Sequence, residues 1–289
     1  SFGELLQTVA RLWQTDRTQL LQSGEEITRH LVKQSGYGSE KGQFSAEVLD
    51  RATSSLIQTY DLVNGGWGSA PKFPQPMTIE YLLRRSTRGD QKALEIAEHA
   101  LQAMAKGGLY DVVGGGFARY STDDRWLVPH FEKMLEGNAG LLANYVRAVR
   151  VTGDERYAAV ARDIMRYVDT VLSDQAQGAF YGSQDADEQY YALLLAQRRE
   201  RTAPFVDRTI YTDWNAMMAS AYLLAAAALD DDRPRQFALR TIDRIWSSSC
   251  GAPTSATGSS GTSWEAGLRI PACLSPDRLT TNGWLGMWN

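Results

Sequence analysis

The sequence predicts an all-α chain: an (α/α)6 toroid of antiparallel helical hairpins, with long Gly/aromatic loops gathered at one end. Three observations predict it. Apolar residues recur at helical spacing through most of the 289 residues, and no alternating strand ladder competes with them. A small-residue turn ending in an aromatic follows a helix three times, at Gly65-Gly66-Trp67-Gly68, Gly115-Gly116-Phe117-Ala118 and Gly178-Ala179-Phe180-Tyr181. Trp67, Phe117 and Phe180 are 50 and 63 residues apart, which is one helix pair with its loops per unit. At that rate the chain holds about eleven or twelve helices, the number a closed ring of hairpins needs. An open solenoid would also stack repeated units, with shorter and more uniform loops.

The elements follow in order. Gly3–Trp13 and Arg17–Lys33 read as a helical pair, with Leu20, Leu21, Ile27, Leu31 and Val32 as an apolar stripe. Ser45 is placed to cap a helix reaching about Val63. Three prolines between Asn64 and Pro76 forbid helix there, and Met77–Arg85 resumes it. Asp90 caps the next helix, which runs to Lys106. A helix from about Phe131 to Val151 ends at Gly153, and Asp154 caps its successor. Glu188–Arg201, Trp214–Leu229 and Pro234–Trp246 are further helices. Residues 247–263 read as a flexible Ser/Gly/Thr loop inside a single domain of residues 1–289, with a last helical piece after Pro276.

Composition narrows the function. A net charge of −4 gives no reason to expect a nucleic-acid partner. The longest apolar run, Ala216–Leu229, is too short to span a bilayer, and Ser1–Ala10 lacks the basic start and apolar core of a secretory signal. Cys250 and Cys273 form no CxxC, so a disulfide scaffold is not expected and a cytoplasmic setting is. The stretch Gly107–Asn138 packs six glycines, five aromatics and one histidine into a connection too long to be a mere link, which marks it as a pocket floor.

Five motifs carry a resemblance. Residues 65–74 (GGWGSAPKFP), 114–123 (GGGFARYSTD), 126–135 (WLVPHFEKML), 184–187 (QDAD) and 212–215 (TDWN) resemble the spermatogenesis-associated protein 20 family of thioredoxin-domain-containing proteins, over roughly residues 1 to 245. The resemblance implies an (α/α)6 toroid similar to the N-acylglucosamine 2-epimerase superfamily, and hence a carbohydrate substrate. Such proteins usually begin with a thioredoxin-like domain that this sequence lacks, so a thioredoxin-like domain or protein is an expected partner. They also carry a long insertion after the Asp-Ala-Asp motif, whereas here Asp187 runs almost directly into the next helix; residues 247–289 match poorly.

The candidate residues follow from these motifs. His130, expected in the first helical turn behind Pro129, is the candidate acid/base, with Glu132 and Glu136 behind it. Its alternative role is to cap the loop by hydrogen bonding. Asp185 and Asp187 are the second acidic pair, suited to glycosidase chemistry at the right separation; Asp187 otherwise caps the helix after it. Trp67, Phe117, Trp126 and Trp214 are candidate stacking surfaces for sugar, and each alone is more often core. Arg119 and Tyr120 are candidate binders, Arg119 alternatively pairing with Asp111 or Asp123. Lys72 either binds a ligand or neutralises a buried acid, and Asn215 either binds or braces the backbone. The triple glycine lacks the Lys-Ser/Thr of a phosphate loop, and the histidine spacing suits no zinc site, so no cofactor and no metal are expected. Sugar epimerase/isomerase chemistry at His130 leads; a glycoside hydrolase, or a non-catalytic domain binding a peptide or a thioredoxin-like partner, follows.

Overall fold

A computed structural model describes residues 2–35 and 45–249, which lie almost wholly in the first of two units of the chain, residues 1–248. The helices are α1 (Phe2–Thr15), α2 (Arg17–Ser35), α3 (Ala46–Gln58), α4 (Pro76–Ser86), α5 (Gln91–Lys106), α6 (Leu135–Thr152), α7 (Glu155–Val171), the short α8 (Glu188–Tyr191) and α9 (Leu195–Arg199), α10 (Thr212–Leu229) and α11 (Asp232–Ser249). Among the described residues, seven two-residue strands sit in the loops: β1 (Tyr120–Ser121), β2 (Pro129–His130), β3 (Lys133–Met134), β4 (Ser173–Asp174), β5 (Ala179–Phe180), β6 (Ser183–Gln184) and β7 (Val206–Asp207).

The helices form the hairpins of an (α/α)6 toroid. Inner helix α6 lies between α4 and α10, and outer helices α5 and α7 back onto α4 and α6. α6 and α10 are apolar around much of their circumference, as helices packed on several sides must be. α6 buries Leu135, Leu141, Leu142 and Val146 completely, each worth about 1.5–3 kcal/mol. Outer helix α11 sets Phe237 against Phe180 and Tyr222. Asp90 and Asp154 cap α5 and α7 through their side chains, and Gly153 ends α6 at φ 71°. Inner and outer helices are joined alternately by short turns (87–90, 153–154, 230–231) and by long loops (59–75, 107–134, 172–211). All three long loops therefore lie at one end.

One local design builds those loops. Tyr60 bridges Trp67, Tyr110 bridges Phe117, and Ser173 pairs with Phe180. Inside each bridge an aspartate closes the turn: the Gly65, Gly115 and Gly178 N–H groups donate to the carbonyls of Asp61, Asp111 and Asp174. Those glycines have φ of 76°, 83° and 74°, where side-chain-bearing residues are strained. The next inner helix then grips the turn. Asn138 of α6 accepts from the Phe117 N–H at 2.8 Å and donates to its carbonyl at 3.0 Å. Asn215 of α10 does the same to Phe180, at 2.8 and 2.9 Å.

Four expectations are corrected. Helix α6 starts at Leu135 rather than near Phe131, because residues 129–134 are drawn into strand pairing with β1 and β6. The helix expected over 188–201 breaks into α8 and α9, and α3 stops at Gln58 because the Tyr60 turn begins there. The apolar stripe of α2 is not core, since Leu21, Ile27, Leu31 and Val32 are exposed, and α1 buries no residue. Residues 247–249 close α11; the rest of the predicted 247–263 loop and the piece after Pro276 lie outside the described residues.

Replacing Asn138 by Ala strands a buried N–H and a buried carbonyl of Phe117. The expected loss is about 2–4 kcal/mol in urea unfolding, with an unchanged slope.

Candidate functional site

The site is built on the loop 107–134, and its foundation is ionic. Asp111 accepts from Lys133 Nζ at 2.7 Å and from Arg198 Nη1 at 2.6 Å, with its side chain only 10% exposed. The Val113 and Gly114 N–H groups also donate to it. Burial alone would raise this carboxyl, but the Lys133 charge, the Arg198 and Lys133 hydrogen bonds and the Gly114 N–H outweigh it and hold the pKa down to about 2. Burial pushes the Lys133 ammonium below its usual range, against the pull of Asp111. Lys133 also donates to the Gly115 carbonyl at 2.7 Å and lies over the rings of Tyr167 and Tyr191. Asp61 repeats the arrangement with fully buried Lys72, at 2.8 Å. Burial opposes its ionisation, while the Asn64 N–H and Lys72 hold it well below the usual carboxylate range.

Above this foundation lies a more accessible cluster. β1 pairs with β2, placing Tyr120 opposite His130, and their rings stack at 4.8 Å and 13°. Phe73 packs on the other partner, with its centroid 4.9 Å from Tyr120. His130 Nε2 is 3.7 Å from Glu132 Oε2, and Arg119 Nη1 is 3.2 Å from the same oxygen. The His130 side chain is 39% exposed and Glu132 23%, so both reach solvent while held by neighbours. β3 pairs with β6 as Lys133↔Gln184, and the next positions outward in that register are Glu132 and Asp185. Asp185 is exposed, and its N–H donates to the Phe205 carbonyl.

The expected site residues divide accordingly. His130, Glu132, Arg119 and Tyr120 come together, and Asp185 directly follows β6. His130 sits in a strand, not in a first helical turn, because Pro129 pairs with Ser121. Arg119 pairs with Glu132 rather than with Asp111 or Asp123. Asp187 accepts from the Tyr190 N–H and caps α8. Trp67, Phe117 and Trp126 are buried: Trp67 donates to the Leu56 carbonyl, Phe117 stacks on Tyr110 and Tyr145, and Trp126 donates to the Asn64 and Gly65 carbonyls. None of the three offers a face to a ligand. Lys72 is engaged by Asp61, and Asn215 by the Phe180 backbone. Trp214 is half-buried and pairs with Tyr211 at 4.4 Å. Sequence reasoning passed over Phe73, Asp111, Lys133, Arg198 and Asn138. The aspartates had a signal: Asp61, Asp111 and Asp174 each stand six positions before the repeated aromatic.

Hairpins with a half-open histidine–carboxylate cluster on their loop face place the chain in the (α/α)6 fold shared by sugar epimerases, isomerases and glycoside hydrolases. It superposes on cellobiose 2-epimerase from Spirochaeta thermophila with a TM-score of 0.53 and 17% identity, over 70% of this chain and 55% of that one. A GH76 α-mannanase of Bacteroides thetaiotaomicron gives 0.55 and 15%, over 71% and 55%. A D-mannose isomerase gives 0.51 and 12%, over 70% and 51%. In sequence, the chain is similar to spermatogenesis-associated protein 20: it is 38% identical to the Mus musculus protein over 194 residues, 64% of this chain and 24% of that protein. An uncharacterized protein of Caenorhabditis elegans is 32% identical over 193 residues, 64% of this chain and 26% of its own length. The chain thus spans about a quarter of the length of the curated relatives it matches. No family model matches it. Among the described residues, no helix is long and apolar enough to cross a membrane.

The Asp111 cluster predicts acid sensitivity. Its carboxyl ionises more readily folded than unfolded, so its contribution is complete above about pH 4 and drains as pH falls toward 2. Asp111→Asn should flatten that part of the urea stability profile. At pH 7 it should cost about 3–5 kcal/mol, because Lys133 and Arg198 are left buried beside a neutral amide.

Proposed function

We propose that the loop face is a carbohydrate-active site of the sugar epimerase/isomerase kind, with His130 as the acid/base. The observation that carries this reading is the His130–Glu132 pair: a solvent-reaching imidazole braced on Tyr120, with a carboxylate 3.7 Å away that is itself held by Arg119. An imidazole that reaches solvent can take up and return a proton, which suits removal of the proton on the carbon beside an open-chain sugar's carbonyl. The C–H electron pair then moves into the C1–C2 bond, and negative charge develops on the carbonyl oxygen. Arg119, adjacent to the pair, is the cation placed to oppose that charge. Return of the proton to the opposite face of C2 gives the epimer. Its delivery to C1, with a hydroxyl proton moving from O2 to O1, gives the ketose. Asp185, directly after β6, is the proposed second proton carrier. Phe73 and Tyr120 supply an aromatic surface for the sugar.

Two observations bear on the rivals. A hydrolase using Asp185 and Asp187 loses support because the Asp187 carboxylate is engaged as the cap of α8. A binding role toward a peptide or thioredoxin-like partner draws support from α1, which exposes Phe2, Leu5, Leu6, Val9 and Trp13.

Proton NMR of an aldose and ketose panel in heavy water tests the reading. Deuterium should enter at the carbon beside the carbonyl, and His130→Ala should slow that entry by about 10²–10⁴-fold, with Glu132→Gln also slower. Free sugar released from glycosides without exchange would move the chemistry to hydrolysis. Absence of both would leave partner binding as the function.

A further inference from the structure

The segment carrying α8 and α9 is tied into the charged foundation by one side chain. Arg198 is 5% exposed, and its guanidinium makes three directed bonds: Nη1 to Asp111 at 2.6 Å, Nη2 to the Tyr191 carbonyl at 2.6 Å and Nε to the Leu193 carbonyl at 3.0 Å. The last two fix the backbone around Tyr191. Tyr191 in turn lays its ring parallel to Phe131, with centroids 5.4 Å apart and planes within 6°. Its hydroxyl bonds Gln184 at 2.9 Å, the residue paired with Lys133. Phe131 is the residue between His130 and Glu132. The groups facing His130 are Glu132 and, through it, Arg119, with the Tyr120 ring on its face.

We propose that Arg198 is a positioning residue for the His130–Glu132 pair: by anchoring the 188–201 segment on Asp111 it holds Tyr191 against Phe131, and so sets the stretch from β2 to β3 that carries both side chains. The role rests on the reading of that pair as the reactive one. Contact of Arg198 with substrate is not part of it, since Asp111 and two carbonyls already take up the guanidinium. A fork of fixed donors is needed, because a single ammonium cannot span a carboxylate and two separated carbonyls at once.

Imidazole correlation spectra of the whole chain test it without substrate. The three histidines, His30, His99 and His130, are assigned by single substitution. Stacking on Tyr120 should shift the carbon-bound protons of His130 upfield. Arg198→Met should abolish most of that shift, and Arg198→Lys should fail to restore it. His99, held by the Tyr60 hydroxyl at 2.8 Å, serves as the internal standard and should not move. Tyr191→Leu, which leaves all three cluster charges in place, should give the same loss, whereas Tyr191→Phe should keep the shift. If the Arg198 variants fail to fold, the Tyr191 pair decides. Unchanged His130 signals in Tyr191→Leu, or in Arg198→Met with only a lowered unfolding midpoint, would reduce Arg198 to a stabilising residue and overturn the proposal. Because no sugar is involved, a failure of sugar exchange would sink the proposed reaction while leaving this result standing.

Discussion

The loop face depends on an aspartate closed into a tight turn and neutralised by a cation, from the same loop for Asp61 and Asp111 and also from Arg198 for Asp111. The three copies are not equal. Asp61 is paired with Lys72, whose side chain is fully buried, and Asp111 with two cations that are 2% and 5% exposed. Asp174 meets Arg244 at 3.2 Å with both side chains partly in solvent. An exposed pair contributes little, and many contribute nothing measurable. A buried pair is costly to break because the surviving partner is left charged and dry. The grading therefore concentrates rigidity beneath the loops before α4 and α6. Those are the loops that carry Phe73, Tyr120, His130 and Glu132.

How much of this was legible depends on the range of the interaction. Helices were legible because 3.6-residue periodicity is local, and the hairpin arrangement because Trp67, Phe117 and Phe180 recur at the length of one hairpin unit. Which aromatics reach solvent was not legible. Trp126 looks like a stacking platform in sequence, yet its indole lies within 2.7 Å of where a Cβ on Gly66 would sit. That contact joins residues 60 positions apart and has no periodic trace. Lys72 was ambiguous for the same reason, since a lysine between Pro71 and Phe73 reads alike whether it faces a ligand or a buried acid. The helix start at Leu135 was missed because Pro129 and the residues after it satisfy a helical N-terminus locally, while pairing with β1 and β6 decides the outcome.

The same long-range pairing explains why the candidate chemistry sits on extended backbone. His130 ends β2 and Glu132 immediately precedes β3, and across this non-helical link the two side chains project together while Phe131 turns toward Tyr191. In a helix those residues would be splayed by about 100° per step, and the imidazole and carboxylate would diverge. The corrected secondary structure is thus what allows the two groups to meet.

Helix direction adds a second consequence. Each inner helix is entered from a long loop, so α4, α6 and α10 all begin at the loop face, and the positive ends of their dipoles lie on that side. α6 starts only three residues after Glu132, and α10 starts five residues after β7, the strand paired with β6. Acidic side chains are accordingly tolerated there: Glu136 and Asp213 occupy first turns, and Glu132 lies three residues before α6. A site of the proposed kind, which would hold carboxylates and a further negative charge on a reacting oxygen, is best placed where three helices begin. In this chain that location follows from the alternation of short and long connections alone.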